Sequence, residues 1–306
     1  MYSEYLISIV GPTAIGKTKL SIDIANHFKA PILSCDSRQF YKEMSIGTAV
    51  PSDKEQASAT HYFIQNKSIF DDYNVGQFEK DALHKLNELF KTNSIVIMVG
   101  GSGLYADAVI NGLDYFPDIN PEIRAKLNKI HQKDGLKSLQ EELKQLDPAS
   151  YQSIDLDNAH RVIRALEVCK GTGLPYSSFK NKTKDKRNFK TLKIGLTADR
   201  EILYNHINKR VDVMFQKGLV KEVKKLYKHR NLNALQTVGY RELFKAFDKY
   251  CSVEEAKEEI AKNTRRFAKR QLTWFKKDPA IKWFDYLENT GKIIDFIIQK
   301  IENKQC

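Results

Sequence analysis

Cysteine is scarce in this 306-residue chain: Cys35, Cys169, Cys251 and Cys306 are the only four, and no two share a C-x-x-C spacing. That excludes a disulfide-dense secreted scaffold and a cysteine-built zinc site, so reduced thiols are expected. None of the seven histidines stands at metal-ligand spacing either. Long apolar runs are also missing. None approaches the roughly 20 residues that cross a bilayer, so no membrane partner is expected. The opening MYSEYLISIVGPT has neither a basic n-region nor a small-residue cleavage site. It reads as a strand entering a turn, not as a secretory leader. Internal repeats and low-complexity tails are absent as well. With 42% hydrophobic and 10% aromatic residues, the chain can bury a sizeable core in one large domain or two modest ones.

Charge is abundant and uneven. Residues 1–120 hold ten Lys/Arg against fourteen Asp/Glu, whereas residues 121–306 hold forty against twenty-four, which accounts for the net +12. A positive excess confined to one part of a chain suits a polyanion such as nucleic acid, although surface helices of a Lys-rich protein can look the same.

The apolar runs YLISIV (5–10), PILSC (31–35) and SIVIMVG (94–100) do not alternate with polar residues, as expected for strands buried on both faces. Helical patterns fall between them, one after the first run and one from about Gly76 to Phe90. The order predicts an α/β fold with a parallel, doubly wound sheet. From Pro121 to about Lys170 the pattern is helical throughout. KNKTKDKRNFK (180–190) is a basic, polar linker, LKIGLT (192–197) is strand-like, and the remainder is mainly helical. The predicted organisation is a core of residues 1–115 and 191–306, interrupted by a small all-helical insertion over 116–190.

Gly11-Pro12-Thr13-Ala14-Ile15-Gly16-Lys17-Thr18 matches G-x-x-x-x-G-K-[ST] without a mismatch, directly after a strand and at the start of a helix. Such a loop turns successive N–H groups toward phosphate oxygens and adds the positive end of the helix dipole. Lys17 is expected to reach a terminal phosphate, and Thr18 to offer its hydroxyl to Mg2+. A kinase or NTPase would need a second acid after a later strand. The strand at 94–99 instead runs into Gly100-Gly101-Ser102-Gly103-Leu104-Tyr105, with no carboxylate. Asp36, just after PILSC, is the carboxylate at a strand end on the ligand side of such a sheet. A turn or helix-capping role is its alternative.

With Asp36-Ser37-Arg38-Gln39-Phe40-Tyr41 and Gly100–Tyr105 in place, the chain resembles the bacterial tRNA dimethylallyltransferases, also called tRNA isopentenyltransferases. The resemblance runs nearly end to end, through IGTAVPS (46–52), DNAHRVIRALEV (157–168), VGYRE (238–242) and TRRFAKRQLTWF (264–275). It implies a P-loop NTPase-like core and transfer of the dimethylallyl group of dimethylallyl diphosphate to an adenine N6. That adenine is the one 3′ to the anticodon (position 37), in tRNAs reading codons that begin with U. It implies Asp36 as general base and Arg210 as a diphosphate contact. Ser102 stands where the family usually has Thr, beside the bridging oxygen of the leaving diphosphate. Ile15 replaces a residue that is commonly small. Ser37, Arg38, Gln39, Arg124 and the stretch His160, Arg161, Val162, Ile163 and Arg164 match positions that contact tRNA. Asp36 and Ser102 border the same surface. A bacterial cytoplasmic enzyme is expected, acting as a monomer with Mg2+.

In this chemistry the phosphate loop holds a leaving group. Backbone N–H groups, Lys17, Arg210 and Mg2+ are expected to stabilise the departing diphosphate while Asp36 accepts the amine proton. The adenine must be extruded from its stack, with Phe40 and Tyr41 as candidate stacking partners and Gln39 as a candidate base-edge contact. The insertion and the basic C-terminal helices are expected to clamp the anticodon stem-loop. On the helix at 253–276, Arg265, Arg266, Lys269 and Arg270 face ligand or solvent, and Phe267, Leu272, Trp274 and Phe275 are assigned to the core. Arg164 has a second possible partner in Glu167. Three rival readings are a nucleotide kinase, a transferase acting on free adenine nucleotides, and an RNA-binding protein with a vestigial loop. The first lacks its metal-binding acid. The second has no use for the insertion and the basic C-terminal part, and the third none for an intact Lys17, Thr18 and Asp36.

Overall fold

The computed structural model describes residues 4–180 and 186–303. It divides into two compact units, Met1–Asn111 with Arg187–Cys306, and Gly112–Lys186. In the first unit the chain runs β1 (Tyr5–Val10), α1 (Lys17–Phe28), β2 (Ile32–Ser34), α2 (Asp53–Ala57), β3 (His61–Tyr62), α3 (Val75–Leu89), β4 (Ile95–Val99) and α4 (Gly103–Asn111). The second unit supplies α5 (Pro121–Leu146), α6 (Pro148–Ser153) and α7 (Ala159–Thr172). The first then resumes with β5 (Lys190–Thr197), α8 (Arg200–Gln216), α9 (Leu219–Leu226), α10 (Tyr240–Phe247), α11 (Val253–Phe275), β6 (Ile281–Asp285) and α12 (Thr290–Glu302).

The six strands form one parallel sheet in the order β3-β2-β4-β1-β5-β6. Successive side chains of a strand point to opposite faces, so an unbroken apolar run serves two cores. Ile7, Ile9, Ile32, Ile97 and Ile194 pack on one face with residues of α1, α8, α11 and α12. Leu6, Leu33, Val96 and Met98 pack on the other with Phe40 and residues of α3 and α4. Helices cover both faces, as the uninterrupted hydrophobic runs predict. Burying each of these side chains contributes roughly 1.5–3 kcal/mol. No helix of the described residues is long and apolar enough to cross a membrane.

Two strands escape the sequence reading: β3 is only two residues long, and β6 (IKWFD) mixes charged with apolar residues at the sheet edge. The predicted linker at 180–190 is only partly visible, since residues 181–185 lie outside the described residues, as does Cys306. At its far end Lys190 already belongs to β5.

Within the second unit, α5 and α7 pack around Leu127, Leu139, Leu143, Val162, Ile163, Ala165 and Leu166. Gly135 (φ 80°) breaks α5 in the middle, a conformation that favours glycine. Asn158 caps α7 by accepting the Arg161 N–H, and Gly173 ends it in the left-handed region.

Candidate active site

The phosphate loop joins β1 to α1, and its geometry leaves the helix start open. Gly16 (φ 99°) is the N-cap of α1; it provides no side-chain cap, and the first turn carries no acid. The contrast with α3 and α11 is direct, since Asn74 and Ser252 cap those helices through their side chains. An uncapped N-terminus presents N–H donors and the positive dipole end to an anion. Not all eight loop residues take part equally. Gly11 and Pro12 are buried and do not line the adjoining cavity. Pro12 has no N–H, and the Thr13 N–H is donated to Gln271 Oε1 at 2.9 Å. Main-chain donors for a diphosphate are therefore left to Ala14, Ile15, Gly16, Lys17 and Thr18, a narrower cradle than the eight residues the motif suggested.

A cavity of 770 Å³ opens on this loop. Thr13–Lys19, Asp36, Gln39, Gly100, Gly101, Arg210 and Gln271 are among its lining residues. On α8 the positions His206, Arg210, Val213 and Met214 all face it, the spacing of one helix side, and so does its C-cap Lys217. Lys17 Nζ donates to the Pro12 carbonyl at 2.7 Å. Burial, and then repulsion from Arg210, hold the Lys17 ammonium down to about 8, while Asp36 and Cys35 pull the other way. The Arg210 guanidinium is also pushed down by burial, with Asp36 opposing. Two cations that repel each other beside one carboxylate make a site that an added polyanion would stabilise. Beneath them the Cys35 thiol is pushed up to about 12, first by burial and then by Asp36, which makes it an inert packing residue.

Asp36 follows β2, as the sequence predicted, and takes the turn role while also bordering the cavity. Its Oδ1 accepts the Arg38 N–H at 3.0 Å, a turn bond, while the residue also faces the cavity. Ser102, on the loop after β4, does not itself line the cavity. Its Oγ accepts the Ser37 N–H at 3.1 Å and donates to Ser37 Oγ at 3.0 Å, tying the GGSGLY loop to the DSRQFY loop.

Several expected RNA contacts are differently employed. Gln39 donates to the Thr48 and Ala49 carbonyls and accepts from Ser34 Oγ, so its amide is committed to the 45–50 loop. Arg38 Nη1 donates to the Asn233 and Ala234 carbonyls. Phe40 is 0% exposed and stacks on Phe78, and Tyr41 is 4% exposed, so neither ring is available to a flipped base. The motif whose resemblance suggested base contacts thus places these two rings in the core. In the second unit Val162 and Ile163 are likewise core, which leaves His160 and Arg161 exposed beside them. Arg124 and Arg164 both pair with the buried carboxylate of Glu167, through the same Oε2, at 3.1 and 2.9 Å. Arg164 also lies over the Phe116 ring, which stacks on Tyr176.

On α11 the core assignment holds for Phe275, whereas Leu272 is half-buried and Phe267 and Trp274 are exposed; Phe267 lines the cavity. Trp274 Nε1 donates to Asp107 Oδ2 at 3.0 Å. Glu222, on α9, was not singled out in the sequence. It accepts the N–H groups of Ser45, Ile46 and Gly47 and the Tyr240 hydroxyl, so it moors IGTAVPS to VGYRE. The only sequence signal was two glycine-containing motifs with no partner of their own.

The chain matches the IPP transferase family model over residues 39–278. It is 58% identical over 299 residues to the tRNA dimethylallyltransferase of Christiangramia forsetii, covering 98% of this chain and 99% of that one. The chain belongs to the tRNA dimethylallyltransferase family. The enzyme of that name from Flavobacterium johnsoniae is 57% identical, over 98% of this chain and 99% of its own. Among solved structures, the tRNA isopentenylpyrophosphate transferase of Bacillus halodurans superposes with a TM-score of 0.74 at 36% identity, covering 99% of this chain and 98% of that one. A eukaryotic dimethylallyltransferase acting on tRNA shares the fold, with a TM-score of 0.81 at 24% identity over 98% of this chain and 80% of that one. The fold is thus P-loop NTPase-like, and the chain is an enzyme of this family.

Proposed function

We propose that the cavity binds dimethylallyl diphosphate and an extruded tRNA adenine, and that the enzyme transfers the dimethylallyl group to N6 of that base. The observation that carries the reading is the uncapped start of α1 with Lys17, Arg210 and Asp36 gathered at one cavity. The bond between the allylic carbon and the diphosphate oxygen breaks, and its electron pair leaves with the diphosphate. A carbon–nitrogen bond forms to N6, and one amine proton passes to Asp36. The N–H groups of residues 14–18, with Lys17 and Arg210, hold the charge that develops on the leaving group, usually the largest single catalytic effect. Ser102 ties the GGSGLY loop to the Asp36 loop through Ser37.

The residues present fit Mg2+ of the substrate-borne kind. Thr18 and Asp36 offer oxygen donors at one cavity, and among the described residues no cluster of three His, Cys, Asp or Glu forms a dedicated cage. Mg2+ commonly takes one or two protein oxygens and completes its shell with phosphate and water. Held by the Thr18 hydroxyl, it would neutralise charge on the leaving diphosphate.

The acceptor under this reading is the adenine 3′ to the anticodon, in tRNAs reading codons that begin with U. Arg161, His160 and the Glu167-held pair Arg124 and Arg164 contact the anticodon stem-loop, and the enzyme works as a cytoplasmic monomer. Transfer of radiolabel from dimethylallyl diphosphate to unmodified tRNA with Mg2+, with AMP and ATP as parallel acceptors, tests it. Label is expected in tRNA and lost when that adenine is replaced. Label in the nucleotides alone would make the enzyme an adenylate transferase.

A further inference from the structure

Gln271 stands on α11 among exposed Lys269, Arg270, Thr273 and Trp274, yet it is itself 6% exposed. A buried amide requires partners, since an unsatisfied one costs more than its bonds return. Both ends of this one are used. Oε1 accepts the Thr13 N–H at 2.9 Å, and Nε2 donates to the Gly101 carbonyl at 2.8 Å. Thr13 belongs to the phosphate loop, and Gly101 directly precedes Ser102. The fit at Gly101 is tight: a Cβ there would stand 2.2 Å from Gln271 Nε2. Glycine is needed at 101 to let the amide in, because no left-handed backbone angle is required there. Three residues further along α11, Trp274 lies against Gly103 and bonds Asp107, so the same helix touches the GGSGLY segment at two of its glycines and the helix that follows it.

We propose that Gln271 is a positioning residue for transfer: it fixes the spacing between the cradle of the leaving diphosphate and the loop that presents Ser102. The inference rests on the transferase reading. By occupying the Thr13 N–H it turns the following donors, Ala14 to Thr18, toward the cavity. By holding the Gly101 carbonyl it sets where Ser102 meets Ser37 next to Asp36. Misplacement of reacting groups by about 1 Å can cost on the order of 100-fold in rate.

The test compares Gln271→Ala, Gln271→Glu, Gly101→Ala and the double variant Gly101→Ala/Gln271→Ala. The measurements are kcat and KM for both substrates, the Kd of inorganic diphosphate with Mg2+, and Tm. Gln271→Glu keeps the acceptor for Thr13 but sets an oxygen against the Gly101 carbonyl. It is expected to lower kcat roughly 10- to 100-fold, while KM for tRNA stays within about twofold. Gly101→Ala is expected to act by displacing the amide, so it should add little in the Gln271→Ala background. Diphosphate affinity should fall several-fold in each single variant. A lowered Tm with unchanged kcat per folded molecule would make Gln271 a packing residue and overturn the proposal. So would full additivity of the two substitutions. If the unsubstituted enzyme transfers nothing to tRNA, the transferase reading fails instead, and the diphosphate affinities still decide on Gln271.

Discussion

At the scale of single residues, the site combines groups that face the cavity with groups that hold them in place. One Asp36 carboxylate oxygen closes a turn with the Arg38 N–H while the residue faces the cavity, where the proposed transfer would use it as base. Asp36→Asn keeps the turn acceptor and removes the base. It is expected to reduce the chemical rate about 10²- to 10⁴-fold, the usual worth of a general base. Single-turnover transfer would measure this, with tRNA affinity unchanged beside it; equal losses in both would assign Asp36 to binding. Ser102→Ala breaks the link to Ser37. Turnover is expected to slow while inorganic diphosphate still binds, and unchanged turnover would remove Ser102 from the mechanism. Much of this was legible in the sequence, since Lys17, Thr18, Asp36 and Arg210 all border one cavity. Phe40, Tyr41, Val162 and Ile163 were misjudged because a motif records which positions matter and not whether they matter through burial or contact.

At the scale of elements, the strands and their order were readable because parallel strands buried on both faces give continuous apolar runs. The short β3 and the charged edge strand β6 give no such run. Less readable were the ties between loops, which depend on residues far apart in the chain. Glu222 is the clearest example, since one carboxylate on α9 satisfies three consecutive N–H groups of the 45–47 turn and the Tyr240 hydroxyl. Burial and then the neighbouring Glu222 charge push the Tyr240 hydroxyl well above its ordinary value, so it remains a donor. Glu222→Ala is expected to lower stability by about 2–4 kcal/mol, the range for breaking a partly buried network that leaves donors unpaired. Urea unfolding measures it. A loss below about 0.5 kcal/mol, the size of an ordinary surface substitution, would show that water replaces the carboxylate without penalty.

At the scale of the whole molecule, the positive excess of the sequence falls mainly on residues 187–306 of the first unit, and the second unit is only weakly basic. Residues 14–18 and Arg210, which the proposed diphosphate site uses, all belong to the first unit. The second unit begins and ends where the first can close without it. Arg187 donates to the Ala108 and Val109 carbonyls and pairs with Glu79, so the chain leaves after α4 and returns beside it. An excursion of this kind between adjacent points is what tolerates excision, because the two ends need only a short bridge. Replacing residues 112–186 with a few Gly and Ser residues is therefore expected to leave the first unit folded, and inorganic diphosphate with Mg2+ should still raise its Tm. Transfer to tRNA should disappear. In the intact enzyme, tRNA affinity is expected to fall steeply with salt, each phosphate contact adding about 0.7–0.9 to the slope of log Kd against log salt. Arg161→Ala should flatten that slope by about one contact without changing diphosphate affinity. Undiminished transfer by the excised protein would move RNA recognition onto α11, where Arg266, Lys269 and Arg270 are exposed.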